Sequence, residues 1–225
     1  MAKAQLNSSQ YLKESPILQK SIFERGIKRS LDIIGSIFGL IILFPAFVLL
    51  SLFYVFGDNK GPIFFKQIRI GQDGKEFYIY KFRSMVVKAE EKLKSDKALY
   101  EKYKANNYKL EPEEDPRITK FGQFIRKTSL DELPQFINVL KGDMSLVGPR
   151  PVVKEELMEY KHRKAEFLSV KPGITGYWQV CGRSDVGYPE RVDIELFYVY
   201  NQSLSLDIKI LIKTVLLVLL RKGAY

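Results

Sequence analysis

The sequence is poor in the two residue types that build disulfides and most zinc sites. Its 225 residues include one cysteine, Cys181, and one histidine, His162. A single cysteine cannot form a disulfide within the chain, which fits a reducing compartment such as the cytosol. A zinc site made of cysteine and histidine ligands is excluded for the same reason. Any metal bound by this chain is therefore expected to be a hard cation held by carboxylates.

Acidic residues are also in the minority. The chain has 26 Asp and Glu against 36 Lys and Arg, which gives a net charge of +10. Anionic lipid, nucleic acid or a phosphorylated small substrate could each explain this excess. The basic residues are dispersed and form no nucleic-acid-binding motif, so nucleic acid is not expected as a partner. The chain also lacks internal repeats and low-complexity tracts, and its length suits one domain plus a membrane element.

One long apolar run stands out in this basic chain. Residues 33–56 contain 24 residues without a charge. A helix of that length can cross a hydrocarbon core of roughly 30 Å. Pro45 lies at its centre, where it removes a backbone donor and crowds the preceding turn. Phe44 is disfavoured in helical geometry for the same reason. The run therefore predicts either a kinked span or a helix that enters the membrane, bends and leaves on the same side.

The charges on both sides of the run favour a helix that enters the membrane and leaves on the same side. Residues 1–30 carry six basic and two acidic residues, a net charge of +4. The following flank is also basic and contains Lys60, Lys66 and Arg69 against Asp58. Positive flanks mark the cytoplasmic side, and a single span cannot place both flanks there. We therefore expect a re-entrant hairpin broken at Pro45. A kinked single span and a buried helix of a soluble core are the alternatives.

Two further features of this region support a retained membrane element. Asp32 lies at the start of the apolar run, and we expect it to pair with Lys28 or Arg29. Such a pair would lower the cost of holding charge near lipid. A cleaved signal peptide is not expected, because the run begins late, is long and lacks an A-x-A-type cleavage site.

Amphipathic segments are predicted near both ends of the chain. Residues 8–30 interleave apolar side chains with Lys and Arg, which predicts a helix at the membrane surface or one packed on the globular domain. Residues 203–221 are mostly apolar but are interrupted by Asp207, Lys209 and Lys213. That segment is too charged to span a membrane and predicts an amphipathic helix.

The middle of the chain predicts a hairpin followed by short helices. Residues 61–85 read as two strands joined by a turn at residues 72–74. Residues 86–112 are charged and predict an exposed helix. Residues 117–141 predict two short helices separated at residues 127–129, with Gly142 as the C-cap of the second. The turn-rich remainder is expected to form loops.

A carboxylate pair, Asp131 and Glu132, is the first candidate for chemistry. Thr128 with Asp131, or Ser129 with Glu132, fits the spacing of a helix capping box. The same pair could instead form a functional site, because exposed N–H groups at a helix start favour negative charge. Adjacent acids also need a cation to coexist, which invites Mg²⁺. Both interpretations can hold together.

Two basic stretches are the other candidates. Arg150 lies between Pro149 and Pro151, and a rigidly held guanidinium is a good bidentate phosphate ligand, although it could also pair with a surface acid. Strand alternation places Lys81 and Arg83 on one face between aromatic residues. That face is either a plain polar surface or a cationic wall for a phosphate-bearing ligand.

Several ordered stretches together resemble one known family. They are KRSLDIIGS, GPIFFKQIRIG, YKFRSM, SLDELPQFINVLKGDMSLVGPRP, KPGITGYWQV, and RVDIELFYV followed by SLDIKILIKT. Over about residues 25–222 the chain resembles the bacterial sugar transferases, the monotopic polyprenyl-phosphate phosphoglycosyl transferases. The resemblance implies transfer of a sugar-1-phosphate from a UDP-sugar to undecaprenyl phosphate, with release of UMP and with Mg²⁺ as cofactor. It also implies a re-entrant helix broken at Pro45, at the cytoplasmic face of the bacterial inner membrane.

The resemblance also suggests roles for individual residues. Asp131 and Glu132 match the family's catalytic dyad, so Asp131 would attack the β-phosphate and form a covalent phosphosugar intermediate. Glu132 would bind Mg²⁺ with Asp131 or assist proton transfer. Lys81 and Arg150 match a lysine and an arginine of the family motifs. Glu195 stands where the family has an aspartate, so the charge is kept but a methylene is added.

The fold class expected is α/β, or helix-rich α+β, with a small antiparallel hairpin covered by helices. Residues 1–58 would form the interfacial and membrane helices, and residues 59–225 the catalytic domain. The stretches RKGAY and PVVKEELMEY resemble those of family members that use glucose or galactose, so the resemblance favours one of these sugars. The positive net charge and the apolar run favour anionic lipid as a further partner. A homodimer is compatible with the predicted surface helices but is not required by them. A transferase without a covalent step and a non-catalytic basic membrane scaffold are the alternative functions.

Overall fold

A computed structural model of the chain describes residues 21–106, 110, 114–182 and 186–220. Within these residues the fold is a helix-rich α+β arrangement, as the sequence predicts. The helices are α1 (Ile22–Leu52), α2 (Ala89–Ser95), α3 (Lys97–Ala105), α4 (Lys120–Lys127), α5 (Gln135–Lys141), α6 (Lys164–Phe167), α7 (Tyr177–Cys181), α8 (Glu190–Asn201) and α9 (Leu204–Leu219). The strands are β1 (Phe64–Ile70), β2 (Glu76–Phe82), β3 (Ser145–Val147) and β4 (Gly173–Thr175). Of the surface helix predicted over residues 8–30, residues 8–20 lie outside the described residues and residues 22–30 form the start of α1.

The predicted β-hairpin is confirmed. β1 pairs with β2 in antiparallel register, from Phe64 opposite Phe82 to Ile70 opposite Glu76. A 3-10 turn at Gln72–Gly74 joins the strands, as expected from the turn residues in the sequence. Because partners across the hairpin share a face, this register decides which side chains of the two strands can meet.

α1 is the one helix among the described residues that is long and apolar enough to cross a membrane. It begins with a capping box, in which the side chain of Ser21 accepts from the N–H of Glu24 and Glu24 caps Ser21 in return. The expected break at Pro45 is not observed, because the helix continues unbroken from Ile22 to Leu52. Proline removes one backbone hydrogen bond, and a long apolar helix tolerates that loss. The re-entrant course and the domain boundary at residue 58 stay predictions.

α1 lies along the globular part of the protein rather than projecting from it. Asp32, Ser36 and Leu50 are buried on its inner face, at helical spacing. Close approach is required at Gly35 and Gly39, where an added Cβ would lie 2.7 Å from Leu146 and 2.9 Å from Phe136. The opposite face exposes large apolar side chains, namely Leu31, Ile34, Phe38, Ile41, Ile42, Phe44, Val48, Leu49 and Leu52. α1 is therefore amphipathic in context, with one face packed on protein and one apolar face exposed.

Polar contacts fasten the first half of α1 and correct one expectation. Asp32 accepts from the hydroxyl of Ser145 and the N–H of Leu146, each at 2.9 Å, instead of pairing with a neighbouring base. Lys28 reaches Asp207 of α9 at 2.6 Å. Arg29 donates to the carbonyls of Val139 and Leu140 in the last turn of α5, where a cation is favourable beside the helix C-terminus. The predicted pairing of Asp32 with Lys28 or Arg29 is therefore wrong, since each group has a distant partner that sequence spacing does not reveal.

The second half of α1 packs beside the turn that carries the carboxylate pair. Leu50 and Tyr54, which follows the helix, join Phe82 and Ile125 in one buried cluster. Leu130 and Leu133 pack against this cluster from either side of Asp131 and Glu132. Both ends of α1 thus contact the same globular part, so they cannot lie on opposite sides of a membrane unless that part crosses as well.

The C-terminal amphipathic helix is confirmed over its described residues. Ser203 caps α9 by accepting from the N–H of Leu206. Asp207 and Ile210 are buried, whereas Ile208, Ile212 and Leu216 are exposed. The helix packs near β3, which pairs in parallel with β4 through Ser145–Gly173 and Val147–Thr175. This short parallel pair carries the loop that contains Arg150.

Candidate active site

The carboxylate pair lies in a tight turn between α4 and α5. Ser129 adopts a left-handed conformation with φ of 55°, and Leu130–Glu132 then form a single 3-10 turn. The side chain of Ser129 makes no capping hydrogen bond, and the hydroxyl of Thr128 donates back to the carbonyl of Phe124 at 2.8 Å. The predicted capping boxes are therefore wrong. The carboxylates of Asp131 and Glu132 are not used to cap the helix and face other side chains instead.

Lys81 joins the strand hairpin to the carboxylate pair. Its Nζ lies 2.6 Å from Oε1 of Glu132 and 3.9 Å from Oδ2 of Asp131. Nη1 of Arg150 lies 3.9 Å from the same Glu132 oxygen. The structure thus brings together four of the residues that the sequence singled out, from β2, the 3-10 turn and the proline-flanked loop.

The two carboxyl groups have very different proton affinities. Burial raises the pKa of Asp131 to about 6, and the neighbouring Glu132 charge adds to that rise while Lys81 opposes it. Burial also acts to raise the pKa of Glu132, but Lys81 and Arg150 outweigh it and lower that pKa to about 2. The pair titrates as a coupled unit, as expected for adjacent acids. At neutral pH both carboxylates are ionised, and Asp131 is the more basic oxygen nucleophile.

A small, partly open cleft lies beside Glu132, and its space, counted together with adjoining solvent, is about 240 Å³. Its walls come from the hairpin, α5, the Arg150 loop, β4 and α7. The lining residues are Arg69, Ile79, Lys81, Glu132, Gln135, Arg150, Pro151, Gly173, Ile174 and Gln179. Three cationic side chains face one carboxylate across this cleft, so it has the charge expected of a site for a phosphorylated ligand.

Two site residues were missed by the sequence reasoning. Arg126 lies on the other side of Asp131, where burial lowers its pKa and the Asp131 charge opposes that change. Its Nε donates to the hydroxyl of Ser84 at 2.8 Å. Arg69 lines the cleft from β1. The hairpin register could have found Arg69, because it puts Arg69 on the face that carries Lys81. No spacing rule links Arg126 to Asp131 before α4 is placed.

Asn138 is a third missed residue, and it positions the site without facing the cleft. Its Oδ1 accepts from the N–H of Tyr80 at 3.0 Å, and its Nδ2 donates to the carbonyl of Tyr78 at 2.7 Å. The side chain is fully buried. Asn138 therefore ties α5 to β2 next to Lys81, which sets the distance between Lys81 and the carboxylates.

Arg83 is not part of the cleft, in contrast to the expectation from strand alternation. It follows the end of β2, and its guanidinium donates to the carbonyls of Asn59, Pro62 and Met85. Only 7% of the residue is exposed. The guanidinium is satisfied by backbone carbonyls, so Arg83 closes the loop before β1 rather than presenting charge to a ligand.

Glu195 lies behind the site rather than in it. It is 1% exposed and accepts from Arg191 at 3.2 Å and from the N–H of Arg150 at 3.3 Å. The hydroxyl of Tyr160 also donates to it. Glu195 thus holds the backbone of the Arg150 loop. A direct contact with substrate phosphate, as the resemblance suggests, stays a prediction.

The residues of the site fit a magnesium ion only in combination with a substrate. Among the described residues, no group of three or more His, Cys, Asp and Glu side chains could hold a metal. Mg²⁺ is commonly bound by one or two carboxylates together with substrate phosphates. Asp131 and Glu132 supply such a pair beside a cationic cleft, so their chemistry suits that mode of binding.

The sequence matches the family model described as bacterial sugar transferase over residues 23–221. It is 50% identical over 208 residues to the undecaprenyl-phosphate galactose phosphotransferase of Salmonella typhimurium, and 48% identical over 205 residues to the UDP-galactose-lipid carrier transferase of Erwinia amylovora. These alignments cover 89% of this chain but only 42% of each relative. The chain is also 44% identical over 202 residues to the exopolysaccharide production protein ExoY of Sinorhizobium fredii, with 88% of both chains covered.

Proposed function

This chain belongs to the bacterial sugar transferase family, and we propose that it moves a hexose-1-phosphate from a UDP-sugar to undecaprenyl phosphate and releases UMP. Such a step would begin the membrane stage of exopolysaccharide or related glycan assembly. The observation that carries the proposal is the pairing of Asp131 and Glu132 with Lys81 and Arg150 at a cationic cleft. The names of the relatives make UDP-galactose the first donor to test, with UDP-glucose as the second.

In the first half-reaction Asp131 is the proposed nucleophile. One of its carboxylate oxygens forms a bond to the β-phosphorus of the donor. The bond between that phosphorus and the bridging oxygen breaks, and UMP leaves with the electron pair. No proton transfer is needed, because Asp131 is ionised at pH 7 with a pKa of about 6. The sugar phosphate is then held on Asp131.

Nearby cations offset the repulsion between the attacking anion and the anionic phosphate. Lys81 lies 3.9 Å from Asp131 and 2.6 Å from Glu132, and Arg150 lies 3.9 Å from Glu132. Arg126 flanks Asp131 from the other side. Charges fixed before the reaction stabilise the phosphoryl oxygens of the transition state without reorganising. Bound Mg²⁺, held by Asp131 or Glu132 and by substrate phosphate, would supply further neutralisation of that charge.

In the second half-reaction the lipid substrate regenerates the enzyme. An oxygen of undecaprenyl phosphate attacks the same phosphorus, and the bond from phosphorus to Asp131 breaks. The carboxylate is restored and the product is a lipid-linked diphosphate sugar. A covalent intermediate allows the water-soluble donor and the lipid acceptor to use one small cleft in turn.

The proposed location is the cytoplasmic face of the bacterial inner membrane. The exposed apolar face of α1 would enter one leaflet, while its inner face stays packed on the globular part. Contact of both ends of α1 with that part supports a one-sided, monotopic course. The net charge of +10 would favour anionic lipid at the same surface. In this proposed arrangement the active site would lie beside the lipid phosphate.

The test is UMP release in detergent or nanodiscs with Mg²⁺, using UDP-galactose, UDP-glucose and further UDP-sugars with and without undecaprenyl phosphate. We expect lipid-dependent turnover with one donor, a stoichiometric UMP burst without lipid, and neither with Asp131→Asn. Burial raises the pKa of Asp131, which means that its ionised form destabilises the fold at neutral pH; the neutral Asn side chain should therefore fold at least as stably as the native chain.

The other outcomes separate the alternatives. Substantial turnover by Asp131→Asn, without a phosphosugar adduct on the protein, would indicate a transferase that uses no covalent step. A folded, membrane-bound chain that releases no UMP from any donor would contradict the transferase proposal and favour a non-catalytic scaffold.

A further inference from the structure

Arg69 is a cleft residue that the proposed reaction does not yet use. It lines the cleft with Lys81 and Arg150, and it shares one face of the hairpin with Lys81. Lys81 is paired with Phe65, so Arg69 lies four residues farther along β1. At about 3.4 Å per residue, the two side chains start roughly 13 Å apart along the strand. The hairpin thus presents one cation at each end of the cleft.

The two ends of the cleft differ in their distance from the nucleophile. Lys81 contacts both carboxylates, and Arg150 approaches Glu132. Arg69 forms no ion pair with Asp131 or Glu132 among the described residues; its nearest acid is Glu156, at 3.9 Å. Arg69 therefore lies farther from the nucleophile than Lys81 does.

The guanidinium of Arg69 is only partly satisfied by the protein. Nη1 donates to the carbonyl of Pro151 at 3.2 Å, and Nη2 donates to Gln67 at 2.7 Å. Its Nε is buried and has no hydrogen-bond partner among the described residues. A buried donor without a partner costs free energy, and an anion in the cleft would relieve that cost. Burial and the nearby Arg150 lower its pKa to about 10, so Arg69 remains cationic at pH 7.

In-line displacement fixes where the leaving group must lie. The attacking and leaving oxygens are on opposite sides of the transferred phosphorus. Asp131 lies beside the cleft, 3.9 Å from Lys81, so the phosphate of the departing UMP would point away from Lys81 and toward Arg69. We propose that Arg69 binds the leaving α-phosphate of the nucleotide donor and stabilises the charge that this phosphate gains as the bridging P–O bond breaks. This inference rests on the proposed transferase reaction.

In-line attack also fixes where the acceptor must lie in the second half-reaction. With Asp131 as the leaving group, the phosphate of undecaprenyl phosphate attacks from the side opposite Asp131, where the UMP phosphate left. Arg69 would therefore contact the leaving phosphate in the first half and the attacking phosphate in the second. Arg150 and Lys81 flank the transferred phosphoryl group, which UMP lacks. Binding of UMP therefore separates phosphate binding by Arg69 from a structural role in which Arg69 only holds Pro151 and, through it, Arg150.

The first experiment measures binding without turnover. The full chain in nanodiscs carries Asp131→Asn, and UMP and uridine are titrated with and without the added change Arg69→Gln. We expect UMP binding to weaken about 10- to 100-fold, the usual worth of a hydrogen bond to a charged group, while uridine binding is unchanged. Arg69→Lys should give an intermediate loss, because it keeps the charge but not the planar fork. Equal loss for UMP and uridine, or loss for neither, would overturn the proposal.

The second experiment compares the half-reactions in the otherwise native chain. Arg69→Gln should slow both the UMP burst at limiting donor and the discharge of a preformed adduct by undecaprenyl phosphate, because the leaving and the attacking phosphate use the same position. Native rates in both halves would refute the inference. Lys66→Gln is the matched control, since Lys66 is an exposed cation of β1 on the opposite face. Failure of the underlying function would look different, because the native chain itself would then release no UMP.

Discussion

At the scale of single residues, the site depends on giving two adjacent carboxylates different environments. Asp131 has a pKa of about 6, whereas Lys81 and Arg150 lower that of Glu132 to about 2. Ionised Asp131 is costly to bury, so it gains more than an exposed acid does by forming a bond to phosphorus. Glu132 stays anionic and keeps Lys81 oriented toward the cleft. The same kind of residue thus serves two purposes because its neighbours differ.

The raised pKa of Asp131 predicts a pH dependence. The UMP burst requires the carboxylate, so its rate should level off above about pH 7, fall by about half at pH 6 and approach a tenfold fall per unit below about pH 5. Stopped-flow or quenched UMP release between pH 4 and pH 8, without lipid, measures this profile. A rate that stays constant down to pH 4.5 would show that the group that limits the step is an ordinary exposed acid.

The raised pKa of Asp131 also affects stability, and here the protonated form is the favourable one. The folded chain holds the Asp131 proton more tightly than the unfolded chain, whose pKa is near 3.8. The contribution of this group to the free energy of unfolding therefore falls as pH rises from about 4 to 6. Ionisation of Asp131 makes the fold less stable near pH 7, by an amount on the order of 2–3 kcal/mol. Activity and stability thus favour different protonation states of one residue.

At the scale of secondary-structure elements, the site is assembled from pieces that are distant in sequence. β2 supplies Lys81, the 3-10 turn supplies the carboxylates, and the loop after β3 supplies Arg150. Asn138 joins the first two by bonding α5 to the β2 backbone. α1 fastens the third, because Asp32 accepts from Ser145 and Leu146 of β3. The membrane helix is therefore part of the scaffold of the active site.

The bridge made by Asn138 can be tested by substitution. Asn138→Ala leaves the N–H of Tyr80 and the carbonyl of Tyr78 buried without their partner, which should lower the free energy of unfolding by about 2–4 kcal/mol. The rate of the burst should fall as well, because Lys81 is no longer held at its distance from Glu132. Denaturant titration and burst kinetics measure the two effects.

Asn201→Ala provides the matched control for that change. The Asn201 amide donates to the carbonyl of Phe197 at an exposed position of α8. Its loss should change the free energy of unfolding by less than about 0.5 kcal/mol. If Asn138→Ala is as mild as this control, the bridge between α5 and β2 does not hold the site.

At the scale of the whole molecule, α1 would let one chain serve the lipid and the water-soluble substrate of the proposed reaction. Its inner face packs on the globular part at both ends, and its outer face is a continuous apolar surface. Only a membrane, or another apolar surface, would cover such a face in water. The positive charges at both flanks agree with a cytoplasmic location of both ends.

The one-sided course predicts a cysteine-labelling pattern. Ser30→Cys and Phe56→Cys, each in a Cys181→Ser background, place a thiol near either end of α1 at exposed positions. Neither thiol should react with an impermeant maleimide in intact spheroplasts, and both should react in inverted vesicles. The native Cys181, which is exposed on the globular part, is the reference for the cytoplasmic side. Labelling of one end in intact spheroplasts would show that α1 spans the membrane.

The sequence by itself determined the parts of this protein that depend on local pattern. The apolar run, the hairpin with its turn, the helix that Gly142 ends, and the candidate set of Asp131, Glu132, Lys81 and Arg150 all follow from composition, periodicity and motif. Each is set by neighbours within a few residues or by chemistry that tolerates few substitutes. The family assignment also follows from the order of such motifs.

Only the tertiary structure decided which candidates meet and which do not. Arg83 does not line the cleft, because its guanidinium donates to three backbone carbonyls. Asp32 accepts hydrogen bonds from residues more than a hundred positions away in the sequence. Arg69 and Arg126 entered the site because strand register and helix placement aim them at the cleft and at Asp131. Side-chain direction is a property of the packed chain, and burial changes proton affinity only after neighbours are in place. No pattern in the sequence carries that information before the fold forms.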